Sequence, residues 1–133
     1  MSSARRVTTL AANRNYRLLL GTSAASNLAD GIAALAFPWL ATLFTRDPVL
    51  IALVAFAGRV PWLLLSIPAG TLTDRADRRA LILRADLTRC ALALAVVGLI
   101  AAAPEGGGTA AILSLAGLAF AMGCAEVVRD NAA

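Results

Sequence analysis

The chain has 133 residues, of which 59% are hydrophobic and 15% carry a full charge, and its mean hydropathy is +0.76. A domain of this size buries only about two thirds of the surface that its unfolded chain exposes, so a globule in water could not hide so many apolar side chains. The composition therefore excludes a disordered segment and an ordinary soluble domain. It predicts a membrane protein, with room for about four helical spans of roughly 20 residues each.

The residue types exclude several kinds of site. The chain has no His, and Cys90 and Cys124 lie far apart within apolar stretches. This excludes a His-metal site, a Ser-His or Cys-His relay and a C-x-x-C motif. We therefore expect no metal or other cofactor, and we do not predict an enzyme. The net charge of +4 comes from Arg residues at the ends of apolar runs, which favours a membrane topology signal over nucleic-acid binding.

Two parts follow each other along the chain. Residues 1–17 are polar and contain four Arg residues, which indicates a tail at the membrane surface and not a cleavable signal peptide. Residues 18–133 contain four long apolar runs without the alternation typical of a β-barrel. They predict an all-α membrane protein whose consecutive spans are antiparallel. The predicted spans are residues 18–43, 49–72, 80–103 and 109–128.

The distribution of Arg over the connecting segments predicts the orientation. The tail has four Arg residues and segment 73–79 has three, whereas segment 45–48 has one and segment 104–108 has none. Short cytoplasmic loops carry an excess of positive residues. We therefore expect a multi-pass protein of the cell (inner or plasma) membrane, with both chain ends in the cytoplasm.

Two charged residues lie deep in the first two spans. Asp30 is 12 residues after Leu18, and Arg59 is 10 residues after Val49, so they lie at similar depths on antiparallel helices. Ionisable groups at this depth cost several kcal/mol unless they are paired or hydrated. Two interpretations stay open: a static Asp30–Arg59 pair, or a protonatable carboxylate in a water-filled path. Asn27, one turn from Asp30, would line the same path.

A second group of charges lies towards the inner ends of spans three and four. Glu126 paired with Arg84 or Arg89 would join the cytoplasmic ends of these spans. We expect this network to be structural, or its arginines to extend to the membrane surface. The group comprises Arg84, Asp86, Arg89, Glu126 and Arg129.

The connection between spans two and three carries the most specific motif. Residues 70–79 are Gly-Thr-Leu-Thr-Asp-Arg-Ala-Asp-Arg-Arg. They resemble the loop between helices two and three of the major facilitator superfamily, whose pattern is Gly-x-Leu-x-Asp-Arg-x-Gly-Arg-Arg/Lys. Asp77 replaces the second Gly, and the Arg-x-x-Gln-Gly signature of many drug–proton antiporters is absent. The matching residues are Gly70, Leu72, Asp74, Arg75, Arg78 and Arg79.

The wider chain, about residues 14–133, resembles the branch of this superfamily near the enterobactin and macrolide exporters. The resemblance implies a twelve-helix transporter of which this chain holds the first four helices. It implies a proton-coupled exporter, or antiporter, of lipophilic small molecules such as drugs or siderophores. Asp74 and the loop arginines would form a cytoplasmic gate, and Asp30 would contact the proton or the substrate.

The partners expected from this resemblance are the lipid bilayer, a small-molecule substrate, the proton and the remainder of the transporter. Because the substrate site of such a transporter lies between its two halves, we expect the chain alone not to catalyse transport. Two alternatives stay open. One is a complete four-span dimeric transporter, like the small multidrug-resistance proteins, with Asp30 as the shared carboxylate. The other is a membrane scaffold that does not transport, in which neutralising Asp30 and Arg59 together changes nothing.

Overall fold

The structure, a computed structural model, describes residues 13–73, 77–103 and 108–133. These ranges form four α-helices and contain no strand: α1 (Arg14–Phe44), α2 (Pro48–Thr73), α3 (Arg78–Ala102) and α4 (Gly108–Ala132). Each of these helices is long and apolar enough to cross a membrane. The prediction of an all-α membrane protein with four spanning helices is therefore confirmed.

Polar side chains determine where three of the helices begin. Each accepts a hydrogen bond from a backbone N–H of the first turn, which stabilises a helix end by about 1 kcal/mol. Consequently α1 and α3 begin at Arg14 and Arg78, before the apolar runs that predicted them at residues 18 and 80. The three pairs are Asn13 Oδ1 with the N–H of Asn15 at 3.0 Å, Asp47 Oδ1 with that of Val49 at 2.8 Å, and Asp77 Oδ1 with that of Arg79 at 3.0 Å.

The chain divides into two compact units, residues 1–33 and residues 34–133. The described part of the first unit is the beginning of α1, whose side chains are mostly exposed. The second unit holds the end of α1 together with α2, α3 and α4. Its described core is one apolar cluster of buried side chains: Ala41, Val54, Val96, Ile112, Leu115, Ala116 and Ala119.

Helix α4 is the central element of the second unit. It packs against both α2 and α3, and 39% of the residues in its most apolar segment are buried, against 11% for each of its two neighbours. Ile112, Leu115, Ala116 and Ala119 recur at intervals of three and four residues, which places them on one face of the helix. The polar residues that follow on α4 are therefore held in a defined position relative to α2 and α3.

Candidate functional site

Glycine allows α4 to lie directly against α2. A Cβ added to Gly123 would clash with the backbone oxygen of Gly58 and would come within 3.0 Å of Pro61 Cγ. On the other side of the contact, a Cβ on Gly58 would lie 3.7 Å from the backbone oxygen of Ala119. Small residues at such a contact let two helix backbones approach closely. This crossing sets the height of α4 along α2, and with it the position of the charged residues that follow Gly123.

The first residue of the loop motif meets the end of α4. Asn131 Oδ1 lies 3.7 Å from the position that a Cβ on Gly70 would take. The amide of Asn131 is held by its own helix, because its Nδ2 donates to the backbone oxygen of Val127 at 2.8 Å. The end of α2 that leads into the motif and the charged end of α4 therefore lie at the same end of the helix bundle.

Arg129 is a buried charge at this end of α4. It is 6% exposed, and its Nε donates to Asp86 Oδ1 of α3 at 2.9 Å. Its Nη1 also lies 3.6 Å from Asp130 Oδ1 on the same helix. The side chains of Asp86 and Asp130 are 47% and 31% exposed. The pair with Asp86 joins α3 to α4, and it combines a buried cation with carboxylates that solvent or lipid headgroups can reach.

Glu126 adds a further carboxylate one turn before Asp130. It is half-buried, and its carboxylate oxygen lies within 4.8 Å of that of Asp130. Two ionised carboxylates at this separation repel each other unless a cation or a proton compensates them. Asp86, Glu126, Arg129 and Asp130 together are called the charge cluster below. It gathers three carboxylates and one buried guanidinium where α3 and α4 meet.

The remaining residues of the predicted network lie on the first half of α3. Arg84 is exposed and Arg89 is half-buried. An ion pair between Asp86 and Arg129 joins α3 to α4. The pair of Glu126 with one of these two arginines, which the sequence suggested, stays a prediction. Arg129 is the one basic residue in the last turn of α4, and this is the signal by which its role could have been found.

The candidate residues of the first two spans differ in their surroundings. Asn27 and Asp30, three residues apart in the first unit, lie on one face of α1; Asn27 is exposed and Asp30 is half-buried. Arg59 is exposed near the middle of α2. One turn further along α2, Trp62 Nε1 is buried and has no hydrogen-bond acceptor within the part of the chain that the structure describes. A buried donor without an acceptor costs free energy.

The loop motif is described in part. Arg78 and Arg79 are exposed at the start of α3. Asp77, which differs from the family pattern, caps this helix. Asp74, Arg75 and the side chain of Leu72 lie outside the described residues, so their predicted place in a gate stays a prediction.

A comparison with protein-family models finds a match over residues 7–132 to the family described as transmembrane secretion effector. No curated protein and no solved structure matches the chain significantly. The family match includes the charge cluster, the helix crossing at Gly123 and the complete motif of residues 70–79.

Proposed function

Since the chain belongs to the transmembrane secretion effector family of the major facilitator superfamily, we propose that it works as part of a proton-coupled exporter of lipophilic small molecules. The predicted family is confirmed, and the chain is a multi-pass membrane protein of a transporter family. The observation that carries the finer proposal is the charge cluster, in which a buried Arg129 depends on carboxylates that remain accessible to protons.

The charge cluster has the properties of a gate, which closes and opens one side of a transporter. While Asp86 is ionised, it compensates the buried guanidinium and joins α3 to α4. Protonation of Asp86 would leave a buried cation without its closest partner, which is a strongly unfavourable state. The helices would then rearrange until Arg129 reached another anion. Proton uptake at this end would therefore favour a different arrangement of α3 and α4.

The proposed orientation places this end in the cytoplasm. The segment that connects α2 to α3 carries three Arg residues, and an excess of positive residues favours the cytoplasmic side. In this orientation Arg78 and Arg79 begin α3 about 11 to 12 Å from Asp86 along the helix axis, at 1.5 Å per residue. Together with Arg75 they would compete with Arg129 for carboxylates, and Asp74 would offer the arginines a further anion, as a gate requires.

The substrate class follows from the apolar character of the spans. Few polar groups interrupt them. An apolar substrate therefore loses little free energy when it leaves the bilayer and binds between such apolar helices. Asn27, Asp30 and Arg59 would supply the polar contacts of the path.

Transport measurements test this proposal at two levels. Proteoliposomes that contain only the 133-residue chain should show no proton-driven flux of a lipophilic cation such as ethidium. Inverted vesicles from cells that express the chain joined to the further helices of a twelve-helix transporter should accumulate ethidium when a pH gradient is imposed. Robust flux from the chain alone would contradict the need for further helices. Absence of flux from the extended protein, tested with several lipophilic substrates, would contradict the exporter.

A further inference from the structure

Two arginines on the first turns of α3 lie outside the charge cluster. Arg79 and Arg84 are exposed, and neither forms a salt bridge with another residue that the structure describes. The acidic residues nearest to them on α3 make other hydrogen bonds. Asp77 Oδ1 accepts from the backbone N–H of Arg79, and Asp86 Oδ1 accepts from Arg129 of α4. The first turns of α3 therefore present two exposed guanidinium groups that no described carboxylate pairs with in a salt bridge.

An apolar stripe begins beside these arginines. Leu83 and Leu87 follow Arg79 at intervals of four residues, and they are 60% and 62% exposed. Residues four apart share one face of a helix, so these leucines lie on the face that begins with Arg79. Ala85 and Val96 are the buried residues of α3, and Val96 belongs to the core cluster built around α4. The stripe lies on a different side of the helix from this core contact.

The spacing of these residues along the axis of α3 fits the thickness of one leaflet of a bilayer. From Arg79 to Leu87 the helix rises about 12 Å at 1.5 Å per residue, which lies within the roughly 15 Å of one hydrocarbon leaflet. Side chains on a helix lean towards its N-terminus, which at α3 is the membrane surface. The guanidinium groups of Arg79 and Arg84 can therefore extend to the headgroup layer, while Leu83 and Leu87 stay at the depth of the acyl chains.

We infer that this face of α3, formed by Arg79, Leu83, Arg84 and Leu87, binds an anionic phospholipid. The lipid phosphate would accept hydrogen bonds from the two guanidinium groups, and an acyl chain would lie along the two leucines. Charge complementarity selects this occupant, because arginine forms bidentate hydrogen bonds with phosphate. A soluble phosphate would leave the leucines uncovered, and an apolar helix would leave the arginines without an anion. The inference needs only the membrane location of the chain, so it stands independently of the proposed exporter.

The test measures lipid binding to the purified 133-residue chain in detergent. Phosphatidylglycerol and phosphatidylcholine with identical acyl chains are titrated, and the bound fraction is read by native mass spectrometry. We expect phosphatidylglycerol to bind more tightly. A basic residue at the membrane surface contributes about a fivefold gain in affinity for an anionic lipid, so Arg79→Gln with Arg84→Gln should reduce this preference about 30-fold at low ionic strength. Raising the salt concentration should weaken the preference of the unaltered chain.

A matched control separates this site from a general effect of charge. Arg46 is also exposed, but it lies in the connection between α1 and α2, at the opposite end of α2 from Arg79, and is followed by Asp47. Arg46→Gln should leave the preference unchanged, and Arg79→Lys with Arg84→Lys should retain only the part of it that charge alone supplies, because lysine forms no bidentate hydrogen bonds with phosphate. Equal binding of both lipids by the unaltered chain would overturn the inference, whether or not the Gln variant folds. An equal loss in Arg46→Gln would overturn it too.

The apolar half of the site has its own control. Leu87→Ala should weaken binding of phosphatidylglycerol severalfold, whereas Ile67→Ala, at an 83% exposed position on α2, should not. Glycerol phosphate, which carries the anion without the acyl chains, should displace no lipid at equal concentration. Displacement by glycerol phosphate would show that the anion alone is recognised, and it would overturn the assignment to a lipid.

Discussion

Helix α4 contacts α2 and α3 through two different kinds of interaction. At α2, Gly123 lies so close to Gly58 and Pro61 that no Cβ fits between them. At α3, the buried Arg129 donates to Asp86, whose side chain is 47% exposed. A fit between backbones does not depend on pH or salt, whereas an ion pair with an accessible carboxylate can be protonated, screened or exchanged. We therefore expect α2 and α4 to move as one body, and α3 to move relative to α4.

The largest effect should come from filling the contact between α2 and α4. Gly123→Leu would force the two backbones apart, and overpacking of this kind costs about 3 kcal/mol or more when the backbone must shift. The free energy of unfolding in mixed micelles, followed by circular dichroism during titration with a denaturing detergent, measures the loss. Gly117→Leu is the matched control on the same helix, because a Cβ added to Gly117 meets nothing within 4 Å. Equal stability of the two variants would contradict a close crossing at Gly123.

The ion pair between α3 and α4 should respond unequally to the loss of either partner. Asp86→Asn leaves the guanidinium of Arg129 buried, with Asp130 of α4 at 3.6 Å as its other ion-pair partner among the described residues, and we expect a loss of about 2 kcal/mol. Arg129→Met leaves a half-exposed carboxylate that water or headgroups can solvate, and we expect about 1 kcal/mol or less. The same unfolding titration measures both. A larger loss for Arg129→Met would show that the carboxylate, and not the guanidinium, is the group that depends on the pair.

The sequence contains enough information for the helices and the family, but not for the contacts between helices. Long apolar runs can only be spans, and residues 70–79 form a motif specific enough to indicate the family. Helix starts depend on capping side chains such as Asn13, which hydropathy does not detect. The partner of Arg129 depends on the rotation of α3 about its own axis. Depth alone allows Glu126 to pair with Arg84 as well as Asp86 with Arg129, so the choice needs the packed structure.

The smallest expected effect concerns the residue at which α3 begins. Asp77 lies where the family pattern has Gly, and its carboxylate caps α3 through the N–H of Arg79. Asp77→Ala should lower the free energy of unfolding by about 1 kcal/mol, and Asp77→Gly should lower it by only a few tenths of a kcal/mol. Asp47→Ala, at the equivalent cap of α2, is the control for the loss of a cap elsewhere.

Combining Asp77→Ala with Asp86→Asn shows whether the cap of α3 and its ion pair with α4 contribute independently to the free energy of unfolding. Independent sites add within about 0.5 kcal/mol, and additivity is expected if the cap acts only on the first turn of α3. A larger coupling would mean that the cap also sets the rotation of α3, and with it the distance between Asp86 and Arg129. The contact between α3 and α4 would then depend on the loop motif as well as on the ion pair. The difference between this contact and the rigid contact of α2 with α4 at Gly123 would be larger still.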